Sequence, residues 1–267
     1  MAGRLAILAG SGALPALVLA ANPGALVVTF KGVEASVSGC EASFEKIGGL
    51  FRLLRAEGVE RICLAGAMQR PALNPIRFDT KMLALAPRLL KAMNGGDDTL
   101  LSLVVQVFEA EGFTVVGAHE LVPGLTPERS MLIGVKPGKV DLTDGARAAA
   151  IHAALSPVDV GQGCVVAAGQ CLGIETIQGT DALLSFVAQT PAHLKRGARG
   201  VFFKSPKAGQ EMRVDMPSLG PETVRKAAEA GLAGIFVRAG SVLLIDRVKI
   251  AAEVEARGMF LAAWDAP

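Results

Sequence analysis

At 267 residues the chain has room for one large domain or two ordinary ones. Apolar residues make up 51% and charged residues 19%, which excludes global disorder, and a net charge of +2 is too small to mark a nucleic-acid binder. Cys40, Cys63, Cys164 and Cys171 form no CxxC pair and stand at no zinc spacing with His119, His152 or His193. They read as reduced, buried thiols in a cytosolic protein, and the three histidines as satisfied structural ones.

Arg4 followed by an uncharged run to Ala21 imitates a secretory signal. Gly10, Gly12 and Pro15 interrupt that run where a helical core belongs, so strand, glycine turn and helix is the better reading, and no spanning helix is expected. Leu5–Ala9 reads as a strand, Gly10-Ser11-Gly12 as a turn, and Leu14–Ala21 as a helix with Pro15 in its first turn. Asn22-Pro23-Gly24 stops that helix ahead of a second strand at Ala25–Phe30. Ile47, Leu50, Phe51 and Leu54 give Phe44–Glu57 a helical stripe that ends at Gly58. A third strand at Arg61–Ala65, helices at Thr80–Met93 and Asp98–Glu111 and a fourth strand at Phe113–Val116 complete this half. Repeated βα units with short apolar strands predict a Rossmann-like parallel sheet covered on both faces, with ligands beyond the carboxyl ends of the strands.

Pro123, Gly124, Pro127, Pro137 and Gly138 gather in 121–139, dividing the chain into a Rossmann-like domain at 1–130 and a second at 131–267. A helix is expected over Leu142–Leu155. Val165–Ala167 and Leu172–Ile174 flank Ala168-Gly169 as a hairpin that ends on Glu175. Ile235–Arg238 and Val242–Ile245 flank Ala239-Gly240 in the same way and end on Asp246. The two read either as an internal repeat or as two ordinary hairpins. Antiparallel pairs make the second domain α+β.

Candidate chemistry concentrates in four places. Residues 204–217 read KSPKAGQEMRVDMP, with Lys204, Lys207, Gln210 and Arg213 at every third position and Asp215 at the close. Such cations can grip a phosphate, and the carboxylate can hold Mg²⁺ or take a proton; a solvated charged loop is the plainer alternative. Six cations against two acids between His193 and Asp215 favour a small anionic ligand over nucleic acid, because only Phe202 and Phe203 could stack. Gly10, Ser11 and Gly12 resemble part of a dinucleotide fingerprint, but Pro15 takes the third glycine's place and Lys31 stands where an acid would meet a ribose. Gly95-Gly96-Asp97-Asp98 opens a helix, where the acids either cap or meet a sugar or Mg²⁺. Gly179-Thr180-Asp181 opens another, five residues or so after Glu175. Asp215, Glu175 and Asp181 are the carboxylates available to a metal.

Taken together, GSGALP at 10–15, GGDD at 95–98, the run Glu175-xxx-GTDALL, residues 204–224 and AGLAGIFVRAG at 230–240 resemble the LpxI type of UDP-2,3-diacylglucosamine pyrophosphatase. The likeness spans essentially the whole chain. It implies a Rossmann-like first domain, a distinct second domain, Mg²⁺ dependence, a lipid-bearing cleft between the domains, and cleavage of UDP-2,3-diacylglucosamine to lipid X and UMP for lipid A. It also implies that Asp215, in the family's R-V-D-x-P run, is the essential aspartate. On this reading Arg213, Lys204 and Lys207 act on the phosphoryl oxygens, while Gly10, Ser11, Gly12, Gly96, Asp97, Asp98, Thr180 and Gln210 contact substrate. A cytosolic enzyme that visits the inner leaflet, as a monomer or a homodimer, fits this placement. Two rivals are an NADP-linked oxidoreductase using Gly10–Gly12 and Lys31, and a sugar-nucleotide sensor that binds without catalysis.

Overall fold

The computed structural model describes residues 3–68, 73–93 and 97–265. Contacts divide the chain into two units, Met1–Pro123 with Glu211–Asp215, and Gly124–Gln210 with Met216–Pro267. Among the described residues no helix is long and apolar enough to cross a membrane.

The first unit runs β1 (Arg4–Ala9), α1 (Leu14–Ala21), β2 (Leu26–Phe30), β3 (Cys40–Ala42), α2 (Ile47–Ala56), β4 (Val59–Ala65), α3 (Thr80–Met93), α4 (Asp97–Ala110), β5 (Thr114–Val115) and α5 (Ala118–Leu121). Its five strands form one parallel sheet in the order β3-β2-β1-β4-β5. Leu5 to Ala9 of β1 are all buried, as a strand covered on both faces requires. Pro15 sits in the first turn of α1, where no amide hydrogen is needed. Leu50, Phe51 and Leu54 form the buried stripe of α2, and Phe51 meets Phe108 edge-on at 5.6 Å.

One side chain fixes two helix starts here. Asp79 Oδ2 accepts from Gly48 N at 2.8 Å and Gly49 N at 3.3 Å in the first turn of α2. Its Oδ1 accepts from Met82 N at 2.8 Å in the first turn of α3. The carboxylate thus satisfies orphan donors of both helices and faces the positive ends of both dipoles.

The second unit runs β6 (Leu132–Gly134), α6 (Lys139–Leu155), β7 (Gly163–Ala167), β8 (Gln170–Ile174), α7 (Gly179–Ala188), β9 (Val201–Lys204), β10 (Ser218–Leu219), α8 (Pro221–Glu229), β11 (Gly234–Arg238), β12 (Leu243–Leu244), α9 (Arg247–Ala256) and β13 (Phe260–Trp264). The main sheet has the order β6-β13-β11-β9-β7-β8, with β9, β11 and β13 parallel and the pairs β7–β8, β7–β9 and β6–β13 antiparallel. The two-residue period of a strand sorts its side chains cleanly. Cys164, Val166, Phe203 and Phe236 face α6 through Ala148, whereas Val165, Phe202, Ile235 and Val237 face Leu184, Val224 and Ile250 of α7, α8 and α9.

Three expectations change. Val165–Ile174 is a hairpin, but Ile235–Arg238 and Val242–Ile245 are not a second one. Both edges of β11 are taken by β9 and β13, and β12 pairs parallel with β10 instead, so the internal repeat is not present in the topology. The cysteines are all free, yet only Cys63 and Cys164 are buried; Cys40 and Cys171 are exposed. The histidines are not uniformly satisfied, because His152 Nε2 and His119 Nδ1 are buried with no hydrogen-bond partner among the described residues.

Replacing Asp79 with Ala should destabilise the first unit by about 2 kcal/mol, the loss of a cap at each of two helices. Urea unfolding followed by circular dichroism measures this, and Asp79→Asn should recover part of it.

Candidate functional site

In an open α/β sheet the strand order reverses at a switch point, and ligands sit beyond the carboxyl ends of the strands there. In the first unit that point lies between β1 and β4. Gly10, Ser11 and Gly12 follow β1, and Gly66 follows β4. The two turns are tied together: Gly10 N donates to Ala65 O at 2.8 Å, Ser11 N to Ala67 O at 2.9 Å and Ala67 N to Ser11 O at 3.0 Å. A Cβ on Gly10 would lie 2.3 Å from Ala67 O, and one on Gly66, at φ +90°, would lie 2.4 Å from Ser11 O. These two glycines are therefore explained first by close backbone approach. The amides of Gly10 and Ser11 are spent on β4 and its turn, which leaves the start of α1 to meet an anion.

Also in the first unit lies Glu211–Asp215. Arg213 clamps it: Nε and Nη2 fork onto Glu211 at 2.9 and 2.7 Å, while Nη1 reaches Glu109 of α4 at 2.6 Å. The two carboxylates raise the Arg213 pKa further, and the guanidinium holds Glu211 below the usual carboxylate range. Val214 packs against the first unit's core, and Asp215 N donates to Glu211 O at 2.9 Å. The Asp215 side chain is half-buried in this turn.

In the second unit the carboxyl ends of β9, β11 and β13 set Lys204, Arg238 and Trp264 along one edge of the sheet. β8 runs in the same direction as β9, so Glu175 emerges at that edge too, its amide bonded to Gly163 O at 2.8 Å. Lys204 Nζ donates to Thr180 Oγ1 at 2.7 Å and to Glu175 Oε2 at 3.4 Å, and Thr180 Oγ1 donates to the same Oε2 at 2.9 Å. The Lys204 and Glu175 side chains are only 4% and 9% exposed. Burial pushes the Lys204 pKa down against the pull of Glu175. A buried, hydrogen-bonded ion pair at the carboxyl end of the sheet's strands is the kind of group that active sites use.

Beyond Lys204 the loop is pinned by its own polar contacts. Ser205 N donates to Gln162 O at 2.9 Å, Lys207 N to Gln210 Oε1 at 2.9 Å, and Ala208 N to Ser156 Oγ. The Lys207 ammonium pairs with Asp159. Lys204, Lys207, Gln210 and Arg213 thus do not share one environment, since residues 205–215 are not a helix and a spacing of three sets no common face.

The remaining predicted residues fall as follows. Asp181 pairs with Lys226 at 2.7 Å. Asp97 and Asp98 open α4, and Gly96 lies outside the described residues. Among the described residues no group of three or more His, Cys, Asp or Glu is gathered to hold a metal ion. Mg²⁺ does not need such a group, being held by one or two carboxylates plus substrate phosphate. Glu175 and Asp181 pair with Lys204 and Lys226.

Two features escaped sequence reading. The first unit holds a partly open apolar cavity of about 220 Å³ whose lining, among the described residues, is Leu, Ile, Val, Met and Phe, including Leu8, Phe30, Met82, Leu89 and Phe108. The second is His152, 7% exposed, with its ring 5.8 Å from that of Phe203. Burial is the main cause of its lowered pKa, only partly offset by a hydrogen bond to the Ser205 backbone and by Glu175.

Residues 4–125 match the family described as LpxI N-terminal domain, and residues 128–262 match LpxI C-terminal domain. A protein of Caulobacter vibrioides named UDP-2,3-diacylglucosamine pyrophosphatase LpxI is 36% identical, across 98% of this chain and 98% of its own.

Lys204→Met should cost about 3–5 kcal/mol by stranding the Glu175 charge, and Lys204→Met/Glu175→Gln should cost less than the two single changes summed. Additive losses in urea titrations would show that the pair is not coupled. His152 gives a pH signature: with its folded pKa below the ordinary 6.5, the unfolded chain binds the proton more readily. Stability should fall as pH drops below about 6.5 and level off below the folded value. His152→Gln should flatten this slope in melts across pH 5 to 7.

Proposed function

The chain belongs to the LpxI family, and from that membership we propose that it hydrolyses the diphosphate of UDP-2,3-diacylglucosamine to 2,3-diacylglucosamine 1-phosphate (lipid X) and UMP, in lipid A synthesis. The observation that carries this reading is identity of 36% over nearly the full length of both chains, which leaves no domain unmatched. The buried polar cluster of the second unit and the apolar cavity of the first support it, because the substrate is charged at one end and fatty at the other.

The chemistry asks for a water oxygen to bond to phosphorus while the bond to the leaving phosphate breaks. Negative charge on the diphosphate repels the incoming lone pair and builds on the departing oxygen. Asp215, the acid of the R-V-D-x-P run, orients that water or holds Mg²⁺. When bound, Mg²⁺ supplies a Lewis acid that neutralises phosphoryl oxygens. Lys204 adds positive charge at the carboxyl end of β9, while the Lys207 ammonium is held by Asp159. Glu175 and Thr180 fix the Lys204 ammonium, so its position need not be organised during the reaction. Arg213 is committed to Glu109 and Glu211, and its part is to hold the turn that carries Asp215.

The two acyl chains call for apolar walls, worth about 0.8 kcal/mol for each methylene removed from water. The cavity lined by Phe30, Met82, Leu89 and Phe108 supplies such a surface for at least part of one chain. A substrate this apolar resides in a membrane, which brings the enzyme to the inner leaflet. Attack falls on the phosphorus nearer glucosamine, and UMP leaves.

Turnover of UDP-2,3-diacylglucosamine in heavy-oxygen water with Mg²⁺ should put the label in lipid X, and a chelator should stop it. Asp215→Ala should slow turnover by about 10²-fold or more in protein that circular dichroism shows to be folded. Label recovered in UMP would move the attack to the other phosphorus, and near-normal turnover by the variant would remove Asp215 from the chemistry.

A further inference from the structure

Outside this site, the β7–β8 hairpin carries a pair of thiols of opposite character. Cys164 Sγ on β7 and Cys171 Sγ on β8 lie 3.9 Å apart. Cys164 is fully buried in the core against α6, whereas Cys171 is exposed. The ladder slips between Val165 and Val166, so that Cys164 opposes Ile174 while Val166 opposes Cys171. The two cysteines are therefore diagonal neighbours across the slip, within reach of one another.

We propose that Cys171 and Cys164 form a modification site for hydroperoxides, in which the exposed thiol is oxidised and the buried one resolves it to a disulfide. The Cys171 sulfur attacks the O–O bond of hydrogen peroxide, takes one oxygen as a sulfenic acid and releases hydroxide, which takes up the thiol's proton as water. The Cys164 sulfur then bonds to the Cys171 sulfur and expels the oxygen as a second water. Two thiols and one peroxide give one disulfide and two waters.

The surroundings favour this order. The hydrogen bond from Cys164 stabilises the Cys171 thiolate and lowers its pKa to about 6, and Arg147 of α6 adds positive charge nearby. That same hydrogen bond, with burial, pushes Cys164 up, which suits a resolving thiol rather than an attacking one. Closure needs the sulfurs to approach to about 2.05 Å. The hairpin tip is fixed, since buried Asp144 accepts from Ala168 N at 2.9 Å and Gly169 N at 2.7 Å. β8 is an edge strand, bonded among the described residues to β7 alone, so a shift of its Cys171 disturbs one ladder. β8 leads straight into Glu175, so the cross-link would constrain the strand that carries the partner of Lys204. The other cysteines lack this arrangement: Cys63 is buried and pushed up to about 12, and Cys40 is exposed but not paired with a thiol among the described residues.

The test uses the reduced full-length protein, treated with hydrogen peroxide at pH 7, quenched with N-ethylmaleimide in urea and digested with trypsin. Residues 148–195 contain no Lys or Arg before Lys195 and hold both thiols in one peptide. That peptide should appear unlabelled and two hydrogens lighter, return to two labels after dithiothreitol, and form about tenfold faster than Cys40 is oxidised. In Cys164→Ala, Cys171 should stop at the sulfenic acid and be captured by dimedone. Two maleimide labels on the peptide once Cys40 has reacted would overturn the proposal. So would Cys171 advancing to sulfinic acid in wild-type protein with Cys164 still free.

Discussion

The second unit is organised around a charge that has to be buried. Lys204 closes β9 inside a sheet covered by helices on both faces, where an unpaired ammonium would be prohibitively costly. Glu175 at the end of β8 and Thr180 at the start of α7 answer it, and the hydroxyl bridges ammonium and carboxylate in one closed set. The strand order β9-β7-β8 brings them together, because β8 returns in the direction of β9 and ends at the same edge. A buried ion pair contributes little net stability compared with apolar packing, and a perturbed ionisable pair of this kind is a candidate for a functional group.

The loop that leaves Lys204 then serves two bodies in turn. Residues up to Gln210 are pinned to Ser156, Asp159 and Gln162 of the second unit. Glu211–Asp215 belongs to the first, where Arg213 braces it against α4 and Val214 enters the core. Arginine suits this bracing because its planar fork meets one carboxylate with two hydrogen bonds and has a further nitrogen for a second. A lysine ammonium lacks that planar fork and could not meet one carboxylate with two parallel hydrogen bonds. The same basic run therefore contains a buried cation, a surface-paired cation and a structural clamp, each with its own carboxylate.

In the first unit, Rossmann-like strand order sets a switch point between β1 and β4, and glycine lets the two turns bond to each other. The cost is that the amides of Gly10 and Ser11 serve the backbone. The fit to a dinucleotide site, already weakened by Pro15 and Lys31, is weaker for it. The cavity beneath α3 and α4 is lined by apolar side chains among the described residues.

Much of this was legible in the chain. Leu5–Ala9, Ala25–Phe30 and Arg61–Ala65 announced themselves as buried parallel strands because such strands are predominantly apolar, and the stripe of Leu50, Phe51 and Leu54 marked α2 because a helix buries one face. The quoted motifs likewise identified the family, since residue identity and order are all that a family likeness needs. Pairing was not legible. Ile235–Arg238 and Val242–Ile245 look locally like a hairpin, and only the arrival of β9 and β13 on both edges of β11 decides otherwise. Nor could spacing alone show that Lys204 turns inward to Glu175, 29 residues away, that Arg213 closes on Glu109, 104 residues away, or that Cys164 and Cys171 touch. Sequence fixes which groups exist and which local conformations they favour; which groups become neighbours depends on strand order and burial, and those arise only when the whole chain packs.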